Sequence, residues 1–262
     1  MRSLNIGATG MLAQQTNVEV ISNNIANMNT TAYSKRRAEF QDLLYQNYRR
    51  IGSNANDEGA VVPAGIQLGL GVKTAAIYRL TESGPLTNTD NVYDLAIQGR
   101  GYFQIELPNG RGTAYTRAGS FQLSPDGEIV TQDGCRVLPG ITIPSDAVEV
   151  SVNSSGQVSV KLDGQTDMQQ VGQLEIVIFP NESGLEAIGD NLFLETQSSN
   201  GPVAGTPGSV GFGTILQGYL ETSNVNVVSE VTDLVRAQRA YEMNSKIIQT
   251  SDQMLQTIVQ LR

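Results

Sequence analysis

The sequence predicts an α+β fold, in which N- and C-terminal coiled-coil-like helices pack together and a central antiparallel β domain is built of short strands. Apolar residues recur in heptad steps over residues 1–30 and again over residues 224–262, as in helices that pair along a seam. Between these segments, short alternating runs are separated by Asn-Gly and Asp-Gly pairs, which are typical of β-hairpin turns. The predicted organisation has a helical part (1–45 with 224–262), an extended arm (46–71) and a β-rich domain (72–220).

The N-terminal helix is predicted from a line of apolar residues in heptad steps, with a second line beside it. The first line consists of Leu4, Met11, Val18 and Ile25, and the second of Ala8, Gln14, Ile21 and Met28. Gly7 and Gly10 lie in the same segment, and each costs a helix about 1 kcal/mol relative to alanine. Asparagines cluster at the end of the segment and compete for backbone hydrogen bonds, so we expect the helix to end near Asn29. Such a helix should be mostly unfolded alone, and its order must come from association.

The C-terminal helix, predicted over residues 224–262, carries two adjoining apolar seams. The first consists of Val227, Val231, Leu234, Tyr241, Ile248, Leu255 and Val259, and the second of Ile247, Met254, Ile258 and Leu261. After Lys246, Asp252 is the only charged residue before Arg262, although a solvent-facing helix normally carries Lys and Glu on its outer side. We therefore predict that other protein surrounds this helix.

A row of glutamines lies opposite most of the apolar residues of the C-terminal helix. It consists of Gln249, Gln253, Gln256 and Gln260. Uncharged amides are suited to a hydrated surface that does not bind charged molecules strongly. They are equally suited to hydrogen bonds between adjacent helices. Both interpretations are open from the sequence.

We interpret the terminal helices as an assembly surface, with a helical hairpin buried inside one domain as the alternative. The predicted interface consists of Leu4, Met11, Val18, Ile21, Ile25, Val231, Leu234, Arg239, Tyr241, Ile248, Leu255 and Ile258. Arg236 and Arg239 are predicted to bond across subunits, because a planar guanidinium is a fork donor in a region poor in charge. Glu242 and Lys246 are four residues apart, which predicts an ion pair within the helix worth about 0.2–0.5 kcal/mol.

The segment after the N-terminal helix is predicted to contain a second, short helix over residues 37–45, with Phe40, Leu43 and Leu44 on one side. From residue 46 to residue 65 the pattern loses its periodicity and becomes rich in glycine, asparagine and serine. This predicts a long loop or extended arm, and a connection of this length is more often functional or disordered than an ordinary link.

Hairpin signals define the strands of the central domain. A strand-like run over residues 102–107 leads into Asn109-Gly110, and another hairpin is predicted around Asp126-Gly127. Apolar and polar residues alternate over 148–152 and 158–162, on either side of a Ser-Gly pair. We expect an antiparallel domain, with sandwich and barrel packing both open.

The composition excludes several kinds of active site. The chain has no histidine and one cysteine, which removes His-based catalytic triads and zinc sites of His and Cys ligands. Residues 69–74 are a poor match to a phosphate-binding loop, because Val72 stands where glycine must precede the lysine. Asp90, Asn91 and Asp94 fit a polar turn better than a calcium loop, which needs a closing glutamate. We expect no enzyme activity, no cofactor and no metal.

Charge and hydropathy limit the partners of the chain. The net charge of −9 argues against nucleic acid as the principal partner. No apolar run is long enough to span a membrane, so membrane insertion is not expected. Met1 and Arg2 lead into an amphipathic pattern, unlike a cleavable signal peptide, so we expect the protein to stay in the cytosol or to leave by another route.

Motifs at opposite ends of the chain carry a resemblance to a known family. Residues 22–31 read SNNIANMNTT, residues 218–226 read GYLETSNVN, and residues 238–244 read QRAYEMN. Together they resemble the terminal motifs of the bacterial flagellar basal-body rod and hook family. The run FQDLLYQ over residues 40–46, followed by an irregular stretch, resembles the branch that builds the distal rod. Ala32 stands where the family usually has glycine, so we expect a different turn there, or a positive φ at Asn29.

The resemblance implies a subunit that is exported unfolded through the flagellum's own type III apparatus and assembles helically into the periplasm-spanning rod. The terminal helices would form the inner tube of a hollow shaft, which transmits torque and serves as an export conduit, with the glutamine row facing its lumen. The implied partners are other copies of the chain, proximal rod proteins, the hook protein and the outer ring proteins of the basal body. The arm would stiffen and straighten the shaft through Gln46, Tyr48, Arg49, Arg50 and Pro63. The alternatives are another member of the family, or an oligomeric secreted β module that binds, for instance, carbohydrate.

Overall fold

A computed structural model describes residues 2–49, 65–108, 112–164 and 167–260 of the chain. This part of the chain contains two long helices, α1 (Arg2–Ala26) and α2 (Val227–Gln260), a short 3₁₀ helix (Glu182–Gly184), and strands between the two long helices. The strands are β1 (Arg36–Asp42), β2 (Tyr45–Arg49), β3 (Ile66–Gly69), β4 (Val72–Arg79), β5 (Leu86–Asn88), β6 (Leu95–Gln98), β7 (Tyr102–Glu106), β8 (Thr113–Thr116), β9 (Gln122–Leu123), β10 (Ile129–Val130), β11 (Ala147–Val152), β12 (Gln157–Leu162), β13 (Gln169–Gln173), β14 (Ile176–Ile178), β15 (Glu186–Gly189), β16 (Leu192–Leu194), β17 (Val203–Gly205), β18 (Thr214–Gln217) and β19 (Tyr219–Glu221). The predicted α+β class, with a helix at each end and a central antiparallel β region, is confirmed.

The described residues form two compact units. The helical unit comprises Met1–Ala26, Arg36–Tyr78 and Asn226–Arg262, as far as these ranges are described, and therefore holds α1, α2 and the first strands. The β unit comprises Asn27–Lys35 and Arg79–Val225. No helix in the described ranges is both long and apolar enough to cross a membrane.

The prediction of a second helix over residues 37–45 is wrong, because β1 covers residues 36–42 and pairs with β4. Ala38 and Phe40 are partly buried while the residues beside them are exposed, which is the period of two expected of a strand. A helix this short is marginal by itself, whereas pairing with β4 provides partners for the backbone of the strand. Of the three apolar residues assigned to that helix, Phe40 lies on the partly buried face of β1, whereas Leu43 and Leu44 follow the strand and Leu44 is 82% exposed.

The stretch expected to lose regular structure from residue 46 begins with a strand. β2 pairs antiparallel with β3, with Tyr45 opposite Gly69 and Gln46 opposite Leu68. The prediction of irregular structure is therefore wrong for residues 46–49. Residues 50–64 of the predicted arm lie outside the described residues.

The β unit is built around a six-stranded antiparallel sheet in the order β15-β16-β8-β7-β14-β17. Tyr102 and Phe103 are neighbours on β7 and point to opposite faces of this sheet, because side chains alternate along a strand. Phe103 belongs to the larger apolar cluster, where its ring meets that of Phe121 edge to face at 5.1 Å. Tyr102 belongs to a second cluster, which includes Phe179 at 6.0 Å. Each of these neighbouring residues therefore belongs to a closed core of its own.

Two predicted hairpins of the β unit are confirmed. β11 pairs with β12, with Val150 opposite Val160, and β9 pairs with β10, with Leu123 opposite Ile129. Gly127 in the second turn has a φ of +80°, a conformation that glycine adopts without steric cost. The turn predicted at Asn109-Gly110 lies outside the described residues.

A buried ion pair closes the β unit. The Nε of Arg117 donates to Oε2 of Glu221 at 2.5 Å, and both side chains are almost fully buried. The guanidinium also donates to the carbonyl of Gly99 at 2.6 Å, and the second carboxylate oxygen accepts the N–H of Gly84 at 2.7 Å. Because a buried charge is tolerated only when it is paired and hydrogen-bonded, these contacts make the pair a fixed part of the core.

Ala32 itself adopts the left-handed conformation, with a φ of 55°, so the expectation that the turn differs or that Asn29 takes the positive φ is wrong. The N–H of Ala32 donates to the carbonyl of Glu221 at 2.8 Å, and the residue is buried. This contact holds the backbone in a conformation that an alanine adopts only with strain.

Candidate functional site: the surface of the paired helices

The helices α1 and α2 pack antiparallel and approach each other closely at two glycines. The start of α1 meets the C-terminal half of α2, whereas Asn24 near the end of α1 bonds to Glu230 near the start of α2. A Cβ placed on Gly7 would lie 2.9 Å from Cγ1 of Ile248, and one on Gly10 would lie 2.8 Å from Nδ2 of Asn244. Since real Cβ atoms do not come this close, a side chain at either position would force Ile248 or Asn244 to shift, so the two glycines that weaken α1 when it is alone allow this close approach.

A buried polar contact fixes how the two helices are aligned. Nδ2 of Asn24 donates to Oε2 of Glu230 at 3.0 Å and to the carbonyl of Arg36 at 2.8 Å. Oδ1 of Asn24 accepts the N–H of Arg36 at 2.9 Å, and Asn24 and Glu230 are only 1% and 3% exposed. A buried polar group that has hydrogen-bond partners in one alignment of two helices, and lacks them in other alignments, specifies the register between the helices.

The buried positions of α2 are not the predicted apolar seams. They are Glu230, Ala237 and Ser251, and Asn244, which meets Gly10, continues the same heptad line. These residues are small or polar, so an apolar pattern could not reveal them. The heptad spacing of the line is the signal that could have found it.

The predicted interface residues divide into half-buried, exposed and buried sets. Leu4, Met11, Val18, Ile25, Leu234, Ile248 and Leu255 are half-buried, Val231, Arg239, Tyr241 and Ile258 are exposed, and Ile21 is buried. Most of these side chains therefore retain accessible surface in the single chain. A hairpin with its apolar residues buried inside one domain would have left little of that surface accessible.

An exposed apolar stripe runs along the C-terminal half of α2. Its members are Met243 (60% exposed), Ile247 (47%), Met254 (59%) and Ile258 (61%). They follow one another in steps of four, seven and four residues, so they share one face of the helix. Contiguous exposed apolar surface of this kind marks an interaction site.

The glutamine row is exposed along its whole length. Nε2 of Gln256 donates to Oδ2 of Asp252 at 3.1 Å, one turn earlier on the same helix. At 100° per residue, the row lies on the far side of α2 from the apolar stripe.

One charged residue of α2, Arg236, pairs within its own chain, and the predicted bonds of Arg236 and Arg239 across subunits stay a prediction. Nη1 of Arg236 donates to Oδ1 of Asp233 at 3.0 Å, within its own helix. Among the described residues, no ion pair joins Glu242 to Lys246, so that predicted pair is wrong for the single chain. Within the described ranges, no group of three or more His, Cys, Asp or Glu side chains is placed to hold a metal ion.

Strands β2 and β3, which form a two-stranded ribbon, contain most of the described residues of the arm. Gln46 and Tyr48 are exposed, and the guanidinium of Arg2 lies 4.8 Å from the centre of the Tyr48 ring. Arg49 ends β2, whereas Arg50 and Pro63 lie outside the described residues. The described part of the arm is thus a two-stranded ribbon with open surface.

At the base of β1, hydrogen bonds from Tyr78 and Arg37 lower the pKa of the Glu39 carboxyl. Oη of Tyr78 donates to Oε1 of Glu39 at 2.8 Å, and Arg37 bonds the same oxygen at 2.9 Å. Arg37 and Glu39 are exposed and Tyr78 is half-buried, and the three lie on a strand pair rather than in a cleft, so their geometry is that of a surface network holding β1 to β4.

Comparison with known proteins agrees with the two-ended motif pattern. Residues 4–33 match the flagella basal body rod protein family, residues 96–160 the flagellar hook protein FlgE/F/G D1 domain, and residues 216–261 the flagellar basal body rod FlgEFG protein C-terminal family. The flagellar basal-body rod protein FlgG of Caulobacter vibrioides is 58% identical over 262 residues, covering 100% of both chains. FlgG of Agrobacterium fabrum is 52% identical and covers 97% of each chain, and that of Buchnera aphidicola from Schizaphis graminum is 48% identical and covers 99% of each. The chain therefore belongs to the flagellar basal-body rod protein family.

Proposed function

We propose that the chain is a structural, non-enzymatic subunit that polymerises helically with its own copies into the distal part of the flagellar rod. The resulting hollow shaft transmits torque and serves as a conduit for exported proteins. The exposed apolar stripe of α2 carries this proposal, because it needs cover that the described part of the chain does not supply. A contact between two different surfaces of identical subunits gives an open helical polymer unless the rotation closes it into a ring.

The helical unit supports a coiled-coil-like arrangement around the lumen. α1 and α2 pair within the subunit, and the stripe has the spacing with which a helix packs into a neighbouring helix. Half-buried Leu4, Met11 and Val18 would then complete their burial against other copies. The domain organisation we propose keeps residues 1–45 with 224–262 as the assembly part and residues 72–220 as the β-rich part.

We assign residues 46–71 to an arm that stiffens the shaft by contacting neighbouring subunits. A two-stranded ribbon is marginally stable by itself, and Tyr45, Leu68 and Ile66 on the β2–β3 ribbon are exposed. Cover from another subunit would stabilise the ribbon. Deletion of residues 50–64 should leave the β unit folded and make the polymer more flexible, as measured from filament curvature in electron micrographs. An unchanged straight polymer would show that the arm is only a linker.

We propose that the glutamine row faces the lumen. Exposed amides opposite the apolar stripe give a neutral surface that would bind passing charges of neither sign strongly. The alternative is that these glutamines bridge helices of adjacent subunits. Replacing Gln253 and Gln260 with lysine should leave assembly intact and slow export if they line the channel. If they bridge helices, the same change buries unpaired charge and abolishes assembly.

The partners we propose are other copies of the chain, proximal rod proteins, the hook protein and the surrounding ring proteins. The location is the flagellar basal body, reached through the flagellar export apparatus without cleavage of a signal peptide. Family membership supports both assignments.

Electron microscopy of the purified chain, incubated above and below its critical concentration, tests the proposal. We expect open tubular polymers from the natural chain and none from Ile247→Lys, which places a charge on the stripe. Val210→Lys is the matched control, because Val210 is a fully exposed apolar residue on a loop of the β unit and should tolerate charge. Closed dimers or trimers from the natural chain would instead favour an oligomeric secreted binding module.

A further inference from the structure

A groove of ≈370 Å³ lies between α1 and α2 and has an apolar floor between acidic rims. It is lined by Gln15, Val18 and Glu19 from α1 and by Gln238, Tyr241 and Glu242 from α2. The ring of Tyr241 is 44% exposed, and the Glu19 and Glu242 side chains are exposed on opposing helices. Nε2 of Gln15 donates to Oε1 of Glu19 at 3.1 Å, which holds one of the carboxylates at the rim.

This inter-helix groove has the chemistry that receives an arginine side chain. The apolar stem of an arginine can lie on Val18 and the Tyr241 ring while its charged head stays near the rim. Its planar guanidinium stacks on an aromatic ring and donates paired hydrogen bonds to carboxylates. A groove with a tyrosine in its floor and two carboxylates at its rims offers both kinds of contact.

The guanidinium of Arg239 is available for such a contact. It is exposed, and among the described residues it forms no ion pair, although Glu242 lies only three positions further along the same helix. Arg236, by contrast, is already paired with Asp233. At 100° per residue, Arg239 lies about 160° around α2 from Tyr241 and about 60° from Glu242, so it lies beside the groove of its own chain and is not among the residues that line it.

We propose that Arg239 of one copy enters the inter-helix groove of the next copy, where its guanidinium lies over Tyr241 and between Glu19 and Glu242. This inference rests on the proposed function, because it names a contact within the proposed polymer. Since Arg239 is not one of the residues that line the groove, each copy offers one groove and one arginine. The contact is heterologous and extends from copy to copy in the manner that an open helical polymer requires.

Mixing two charge-reversed variants tests the contact directly. Arg239→Glu alone sets a glutamate against the acidic groove, and Glu242→Arg alone sets an arginine against an arginine. We expect each variant to raise the critical concentration for polymerisation by at least about tenfold, because like charges facing each other oppose association. In an equimolar mixture, each variant can place its residue 239 in the groove of the other, so we expect polymers to reappear near the natural critical concentration.

The mixture separates a contact between copies from a pair within one helix. If Arg239 and Glu242 acted only within their own helix, each variant would keep its like-charge pair, and mixing would restore nothing. Absence of rescue, with both variants retaining the thermal unfolding temperature of the natural chain, would therefore overturn the inference.

Two further variants test the assignment of Arg239. Arg236→Glu makes the same charge change on the same helix and should polymerise as the natural chain does, because its guanidinium is already used within the chain. A loss as large as that of Arg239→Glu would mean that net charge, not the groove, controls assembly. If mixing with Glu242→Arg restores polymerisation of a Lys246→Glu variant instead, the residue that enters the groove is Lys246 and not Arg239. Failure of the natural chain to polymerise would refute the proposed function itself, whereas normal polymerisation of all variants would refute only this contact.

Discussion

The two units bury their large apolar residues to very different extents. In the β unit, Phe103 and Phe179 are fully buried and take part in edge-to-face ring contacts within the chain. In the helical unit, Met254 and Ile258 of α2 are mostly exposed, and the positions that α2 does bury are small or polar. A core of aromatic and branched side chains can hold one chain by itself. A helix pair that meets at glycines and polar contacts, and that leaves large apolar side chains of α2 exposed, offers surface for contacts with other protein.

The two units also differ in where they place charged residues. The β unit encloses Arg117 and Glu221 with hydrogen bonds from several strands and loops. On the helical unit, Arg239 and Glu242 stay at the surface without an ion pair among the described residues. A charge whose partner is in the same chain contributes to folding, whereas a charge left for another chain contributes to recognition.

Removing the buried ion pair should have the largest effect on stability. Arg117→Ala leaves the Glu221 carboxylate buried without its partner, and such losses cost about 3–5 kcal/mol. Denaturant unfolding followed by tyrosine fluorescence measures this loss in the β unit. Arg100→Ala is the control, since the Arg100 side chain, which pairs with Glu182 at 3.0 Å, is 61% exposed, so its removal should cost much less than that of the enclosed Arg117. Similar losses in the two variants would contradict the distinction between enclosed and surface charge.

A smaller effect is expected at the glycine contact of the helical unit. Gly7→Ala removes a helix penalty of about 1 kcal/mol, but the new methyl would lie 2.9 Å from Cγ1 of Ile248. Overpacking a contact typically costs about 1–3 kcal/mol, so we expect a net loss of about 1 kcal/mol in helix unfolding followed by circular dichroism. Ser3→Ala tests propensity alone at an exposed position of α1 and should stabilise the helix slightly. A gain in both variants would show that the helices do not depend on close approach.

Sequence patterns predicted the helices and hairpins because their signals are local. The heptads of α1 and α2, and the alternation around residues 148–162, report periodicity that each segment carries in its own residues. The strand β1 was misread as a helix because its partner β4 lies in a distant part of the sequence, and pairing, not propensity, decides its structure.

The contacts that define the candidate site were harder to predict. Arg117 and Glu221 are 104 residues apart, and Asn24 and Glu230 are 206 apart, so no local pattern joins them. The contact line through Ala237 and Ser251 was missed because an apolar pattern passes over small and polar residues. The exposure of Tyr241 and Ile258, in contrast, could be predicted. These residues lie on two adjoining apolar seams, and the two seams together are wider than the surface that one partner helix covers.

The smallest expected change concerns the strained turn of the β unit. Ala32→Gly removes a left-handed alanine, which costs about 1–2 kcal/mol, and adds about 0.5–1 kcal/mol of glycine entropy. We expect a net gain of about 0.5 kcal/mol in the free energy of unfolding, with no change in polymerisation. Ala204→Gly, at an exposed position of β17, should instead lose stability. A loss at Ala32 would mean that its methyl group contributes more by packing than its backbone costs.

Hydrogen exchange, compared between the free chain and the assembled polymer, tests most directly whether the helical unit is completed by other copies. In the free chain, amides of the β core around Phe103 and Ile176 should exchange slowly, and those of α2 around Ile247 and Met254 should exchange much faster, because exchange follows local stability. On assembly, protection of α2 should rise by at least about tenfold while the β core stays unchanged. Equal and unchanged protection of both units in the two states would show that each is complete in one chain, and would contradict the account.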